Sequence, residues 1–144
     1  MLYGPYSCFK NRAWFGETIS DLRTKIIRVE KVKRGQPVGY CSFFCHDNGY
    51  LVYVPIGYGD GILTYYSGKD FIIDKTKVRI MGRVNMDLTL LFCEEIPDDW
   101  RVGKELHWWD GGENDISKFA EAVKTHQYQI FTAITDRVPR RYHN

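Results

Sequence analysis

Residues 38 to 56 read VGYCSFFCHDNGYLVYVPI, two runs of aromatic and β-branched residues separated by Asp47-Asn48-Gly49. Such residues favour a pleated, half-buried surface, and an Asn-Gly step supplies the positive φ angles of a tight hairpin. The stretch is read as two antiparallel strands, Val38 to His46 outward and Tyr50 to Ile56 back. Pro55 falls near the end of the second, where a missing N–H is tolerated. Upstream, Leu22 to Lys33 (LRTKIIRVEKVK) interleaves apolar and charged residues and stops at Arg34-Gly35, a β pattern. Downstream comes a glycine-rich loop, Gly57 to Gly61, and then short strands at Phe71–Asp74, Lys77–Val84, Asp87–Cys93 and Glu105–Trp108. One segment has a helical period: Ile116, Phe119, Ala120 and Val123 fall at i, i+3, i+4 and i+7, behind Asn114 or Asp115 as a cap. Gln129 to Val138 (QIFTAITDRV) returns to strand before Pro139. The expected fold is all-β: a Greek-key-like antiparallel barrel, closed or nearly closed, with one short helix near the C-terminus. No internal repeat or linker divides it, so residues 1–144 are read as one domain.

Composition narrows the function. The chain has 144 residues, 44% apolar and 26% charged, ordinary globular values that exclude a disordered chain. The aromatic fraction is 15%, with ten tyrosines and eight phenylalanines, which again favours strands. A net charge of +2 is too small for a nucleic-acid partner, which usually demands a strongly basic face. No apolar run approaches the roughly 20 residues that span a bilayer, and Met1-Leu2-Tyr3-Gly4-Pro5 lacks the blocks of a signal peptide. A cytoplasmic domain without a membrane partner is expected, its four cysteines (Cys8, Cys41, Cys45, Cys93) being free thiols.

Spacing alone assigns no chemistry. Cys41-x3-Cys45-His46 resembles half a metal site, but on a strand His46 points away from the two cysteines. No second ligand pair has zinc-like spacing, so no metal is expected. Gly57-Tyr58-Gly59-Asp60-Gly61 is no phosphate cradle of the common kind, because β-like ILTYY follows it rather than a helix; a turn with several positive φ angles is the plainer reading. Arg137-Val138-Pro139-Arg140-Arg141 reads as a solvated basic end.

Three segments taken together carry a resemblance. Pro55-Ile56-Gly57-Tyr58-Gly59-Asp60-Gly61 resembles the alanine racemase pattern P-[IV]-G-Y-[AG]-D-G. Gly82-Arg83-Val84-Asn85-Met86-Asp87 resembles its G-R-[VI]-x-M-D. Gln127-Tyr128, Ile134 and Arg137-Val138-Pro139-Arg140 resemble the closing N-Y-E…I…R-V-P-R. Leu2-Tyr3-Gly4 and Lys31 to Tyr40 (KVKRGQPVGY) are similar to further family stretches, so the likeness runs from Met1 to Tyr142.

The resemblance implies a pyridoxal-phosphate-dependent enzyme that interconverts L- and D-alanine. The lysine that holds the cofactor lies in that family on an N-terminal (β/α)8 barrel, which takes about 250 residues. This chain is expected to be the C-terminal domain alone, inactive without the barrel. On the family pattern, Tyr40 is the catalytic tyrosine base and the Met86 backbone amide contacts the substrate carboxylate. Tyr128 hydrogen-bonds the cofactor phosphate, and Tyr58 and Arg83 line the active-site entrance. The implied partners are a small amino-acid substrate, the barrel domain and a second subunit in a head-to-tail homodimer, whose active site receives Tyr40 and Met86. A phenol has a reference pKa near 10, so Tyr40 needs cations or hydrogen bonds that favour its phenolate, groups that the family keeps on the barrel. The chain departs from the family at Gly39, Cys41 and Phe44, where serine, glycine and tyrosine are usual, and at Thr64, where an entrance arginine often stands. A serine or other small amino-acid racemase is the alternative enzyme, although Tyr128 leans towards alanine. A stand-alone β-domain that binds a partner is the non-enzyme alternative.

Overall fold

The computed structural model describes residues 20–39, 43–112 and 114–142. In chain order the strands are β1 (Leu22–Lys25), β2 (Arg28–Val32), β3 (Pro37–Val38), β4 (Phe43–Phe44), β5 (Gly49–Val54), β6 (Asp70–Ile73), β7 (Thr76–Ile80), β8 (Thr89–Cys93) and β9 (Glu105–Trp109). Two helices follow, α1 (Ile116–Ala122) and α2 (Gln127–Ala133), and a single 3-10 turn covers Thr64–Tyr66. The central sheet has the order β2-β5-β8-β7-β6, every pair antiparallel; β1 pairs with β9, and β3 with β4.

The two faces of the central sheet follow the period of two along its strands. Val52 and Val54 of β5, Val78 and Ile80 of β7, and Leu91 and Cys93 of β8 enter the main core. Leu51, Leu90 and Phe92 point the other way, into a smaller cluster with Val32, Val38, Cys45 and Met81. All five residues of β8 are therefore buried. The main core is closed by Leu106, Trp108 and Trp109 of β9 and by the helices. Phe119 of α1 is its hub: it stacks on Phe71 at 4.6 Å and meets Tyr66, Trp108 and Trp109 at 5.8, 6.2 and 6.3 Å. Asp115 caps α1 as expected, accepting the Ser117 N–H at 2.9 Å.

The antiparallel β character matches the expectation, but four details differ. Hydrogen-bonded closure of the sheet into a barrel is not seen among the described residues. The β1–β9 ribbon instead spans the gap, with β9 packed beside β6 and β1 running on into β2. Second, Leu22–Lys33 is not one strand. Ile26 N–H donates to Lys104 O and Ile27 N–H to Tyr53 O, so the chain changes sheets between two adjacent isoleucines. Third, Asn48-Gly49 is no hairpin turn. β3 pairs with β4, while β5 pairs with β2 from Gly49 opposite Val32 to Tyr53 opposite Arg28. Gly49 has no positive φ; a Cβ there would lie 2.3 Å from Cys93 O, so glycine is required by close packing against β8. Fourth, residues 127–133 form a second helix where a strand was expected. Its buried Gln127 and Ile130 are three apart, a helical spacing, and Thr132 Oγ1 donates back to Tyr128 O at 2.8 Å.

Candidate active site

β5 delivers the chain to the glycine loop at the rim of the sheet. Thr89 Oγ1, at the start of β8, donates to Ile56 O at 2.6 Å in a buried bond that fixes the loop's entrance. The loop then curls on itself: Asp60 N–H and Ile62 N–H both donate to Gly57 O at 3.0 Å, and Asp60 Oδ2 accepts Gly57 N–H at 2.9 Å. Only Gly61 of its three glycines has a positive φ, at 108°. The several positive angles expected here are thus one; Gly57 is needed for another reason, since a Cβ there would lie 2.1 Å from Asn85 O.

That approach seats the second motif on the first. Tyr58 N–H donates to Asn85 O at 2.8 Å, and Gly59 N–H donates to Met86 O at 2.9 Å. Both peptide planes flanking Met86 are therefore pinned. No cis peptide is present among the described residues, and in a trans peptide the C=O and N–H point in opposite directions. With Asn85 C=O turned towards Tyr58, the Met86 N–H faces away from the loop, and no hydrogen bond among the described residues uses it. The Met86 side chain is 51% exposed, as is Tyr58. Arg83 is exposed in the same segment, which is anchored by Val84 N–H donating to Ser67 Oγ at 3.2 Å.

The third motif locks the other two. Beyond α2, Thr135 N–H donates to Asp60 O at 3.2 Å and its hydroxyl to Gly59 O at 2.8 Å. Arg137 Nε lies 3.5 Å from Asp60 Oδ1, and its Nη2 pairs with Asp87. Arg140 Nη2 donates to Ile134 O at 3.1 Å. The basic end read as solvated is thus partly a clasp, and Asp60, Asp87, Thr135 and Arg137 are site residues that sequence reasoning left without a role. Beside Tyr58 opens a cleft of about 340 Å³, lined also by Gly61, Ile62, Leu63, Thr64 and Ala133. Thr64, the departure from the family's arginine, stands in its wall.

Of the residues singled out from sequence, Tyr58 and Met86 meet in this cluster, and Arg83 is exposed three residues before Met86 in the same segment. Tyr128 sits on the first turn of α2, 39% exposed, outside the hydrogen-bonded group. Tyr40 lies outside the described residues, between Gly39 and β4; Phe43 of β4 packs over Gly82, whose Cβ would lie 3.4 Å from its ring. Among the described residues no three His, Cys, Asp or Glu side chains are placed to hold a metal ion, and Cys45 and Cys93 are free, buried thiols.

The model of the family described as "Alanine racemase, C-terminal domain" matches residues 19–142. The chain belongs to that family. Among its curated relatives, the alanine racemase of Stutzerimonas stutzeri is 32% identical over 99% of this chain and 40% of its own length. That of Bordetella avium is 33% identical over 97% of this chain and 38% of its own. An alanine racemase from Clostridium difficile, solved in complex with cycloserine, matches with a TM-score of 0.80 at 26% identity, over 94% of this chain and 37% of that one. These relatives are racemases, which are isomerases, and the C-terminal-domain fold is theirs. This chain spans about two-fifths of the length of the curated relatives it matches.

Proposed function

We propose that this chain is the C-terminal part of a pyridoxal-phosphate-dependent racemase that interconverts L- and D-alanine. The observation that carries the reading is the Met86 peptide, pinned on both sides with its N–H turned away from the glycine loop. A fixed N–H in a segment that also carries exposed Arg83 suits the carboxylate that every α-amino acid carries, because a preorganised donor needs no rearrangement to meet an anion. Tyr58 stands at the mouth of the site, next to the cleft that Thr64 lines.

The cofactor fits the residues present. The Tyr128 phenol is partly exposed on α2, and its hydroxyl donates to no described residue, a state suited to a phosphate oxygen. Tyr128 would hold that phosphate. When bound, the cofactor delocalises negative charge from the substrate α-carbon into its ring. Tyr40 Oη takes up or returns the α-proton on one face. Inverting the centre needs a second base on the opposite face, which the reading assigns to a lysine on an N-terminal barrel. Phe43, Phe44, Tyr58 and Met86 are large apolar side chains left exposed, which suits a domain whose site is completed by a barrel and by a second, head-to-tail subunit.

The test joins this chain to the barrel part of the Stutzerimonas stutzeri relative and follows D-alanine formation from L-alanine. The joined enzyme should turn over, and Tyr40→Phe should lower kcat at least about 100-fold, the usual contribution of a positioned general base. A folded, cofactor-loaded enzyme that forms no D-alanine, or a Tyr40→Phe variant with full activity, would refute the reading.

A further inference from the structure

We infer that Arg137 is a positioning residue for the substrate carboxylate: by tying Asp60 to Asp87 it holds the Met86 N–H in place and screens two acidic side chains beside it. The inference rests on the racemase reading above, to which it adds a residue with no assigned part in the reaction.

Three features support it. Arg137 reaches both acidic residues, with Nε 3.5 Å from Asp60 Oδ1 and Nη2 on Asp87. Asp87 directly follows Met86, so this contact holds the outer end of the segment that Tyr58 and Gly59 pin from within. Second, the guanidinium lies against the Gly59 backbone: a Cβ at that position would sit 2.1 Å from Arg137 Nη1. Gly59 is the residue whose N–H holds Met86 O. Third, Asp60 is largely shielded, its side chain 13% exposed, and its Oδ2 already accepts Gly57 N–H. Without Arg137 a shielded carboxylate loses its cation. The Asp60–Asp87–Arg137 group would then carry two negative charges instead of one, beside a site that receives an anion.

The two effects give a signature that loss of folding does not. Arg137→Met should weaken whatever binds through a carboxylate and spare what binds through an amine. Arg137→Lys should fall between, because one ammonium does not match the planar fork that spans two carboxylates.

Two measurements test this. In the chain itself, amide exchange followed by NMR should quicken about tenfold at Tyr58 and Gly59 in Arg137→Met, the scale of one lost charge-assisted contact. In the joined racemase, the same substitution should raise KM for L-alanine about tenfold with kcat within about twofold, on that same scale. The inhibition constant of propionate should rise in parallel, and that of ethylamine should stay put. Unchanged exchange at Tyr58 and Gly59, or equal weakening of propionate and ethylamine, overturns the inference. Faster exchange in a joined enzyme that makes no D-alanine sinks the racemase reading instead, and the substrate half of this inference with it.

Discussion

Gly49 shows how one residue sets the limit on what the sheet accepts. The carbonyl of Cys93 would stand 2.3 Å from a Cβ at position 49, and two carbons of the Phe92 ring 2.9 Å away. The ring can turn, but the carbonyl belongs to the backbone of a fully buried strand. Gly49→Ala should therefore cost about 3 kcal/mol, the upper end for an overpacked site, read as a lower urea midpoint with an unchanged slope. A midpoint within error of the parent would show that β5 and β8 separate more easily than their packing implies. The same residue explains a misreading. Asn-Gly is an ordinary turn signal, and nothing local distinguishes a glycine chosen for its φ from one chosen for its missing side chain. At the site the position is similar. Tyr58, Arg83 and Met86 stand out in the sequence because motifs carry them, whereas Arg137 reads from sequence as one cation in a basic end. Its carboxylates are brought to it only by the fold.

The β6–β7 hairpin shows an element held by a suboptimal turn. Asp74 and Lys75 both have positive φ, 43° and 65°, between the paired Ile73 and Thr76. Two positive angles define a tight hairpin turn for which Asn-Gly or Asp-Gly is preferred, and lysine is a poor second residue because its Cβ is crowded there. Lys75→Gly should raise stability by about 0.5–1 kcal/mol and the melting temperature by about 2–3 °C for a chain of this size; a lower melting temperature would count against this account. Other elements differ in how plainly their sequence announces them. The runs giving β5 and β8 are apolar on both faces and were read close to their true bounds. β1 and β2 ran together because their sheet change falls between two isoleucines, with no glycine or proline to mark it. α2 looks like a strand in sequence because Tyr128, Ile130, Phe131 and Thr132 are β-formers, and seven residues are too few for period to overrule composition.

Across the whole molecule, the two cores make the thiols reporters of global unfolding. Cys93 lies in the main core and Cys45 in the smaller one, and burial pushes the Cys93 thiol from its ordinary 9 up to about 12. The folded thiol thus ionises later than the unfolded one. Its contribution to stability is complete below about pH 9 and fades as the pH climbs towards about 12. The urea midpoint of the parent should fall over that range, more steeply than that of Cys93→Ala. Cys45 and Cys93 should resist a thiol reagent at pH 8 until urea unfolds the chain; rapid labelling in native buffer would place them nearer the surface. The clasp on the glycine loop has a different consequence, one of timing. Thr135 reaches across 76 residues to hold Gly59. At the usual pace of synthesis those residues take roughly 4 to 15 s to follow, long after a small sheet has time to form. During that interval the glycine loop leaves the ribosome without its last partners, and its clasp is completed as a late locking event on a sheet already in place.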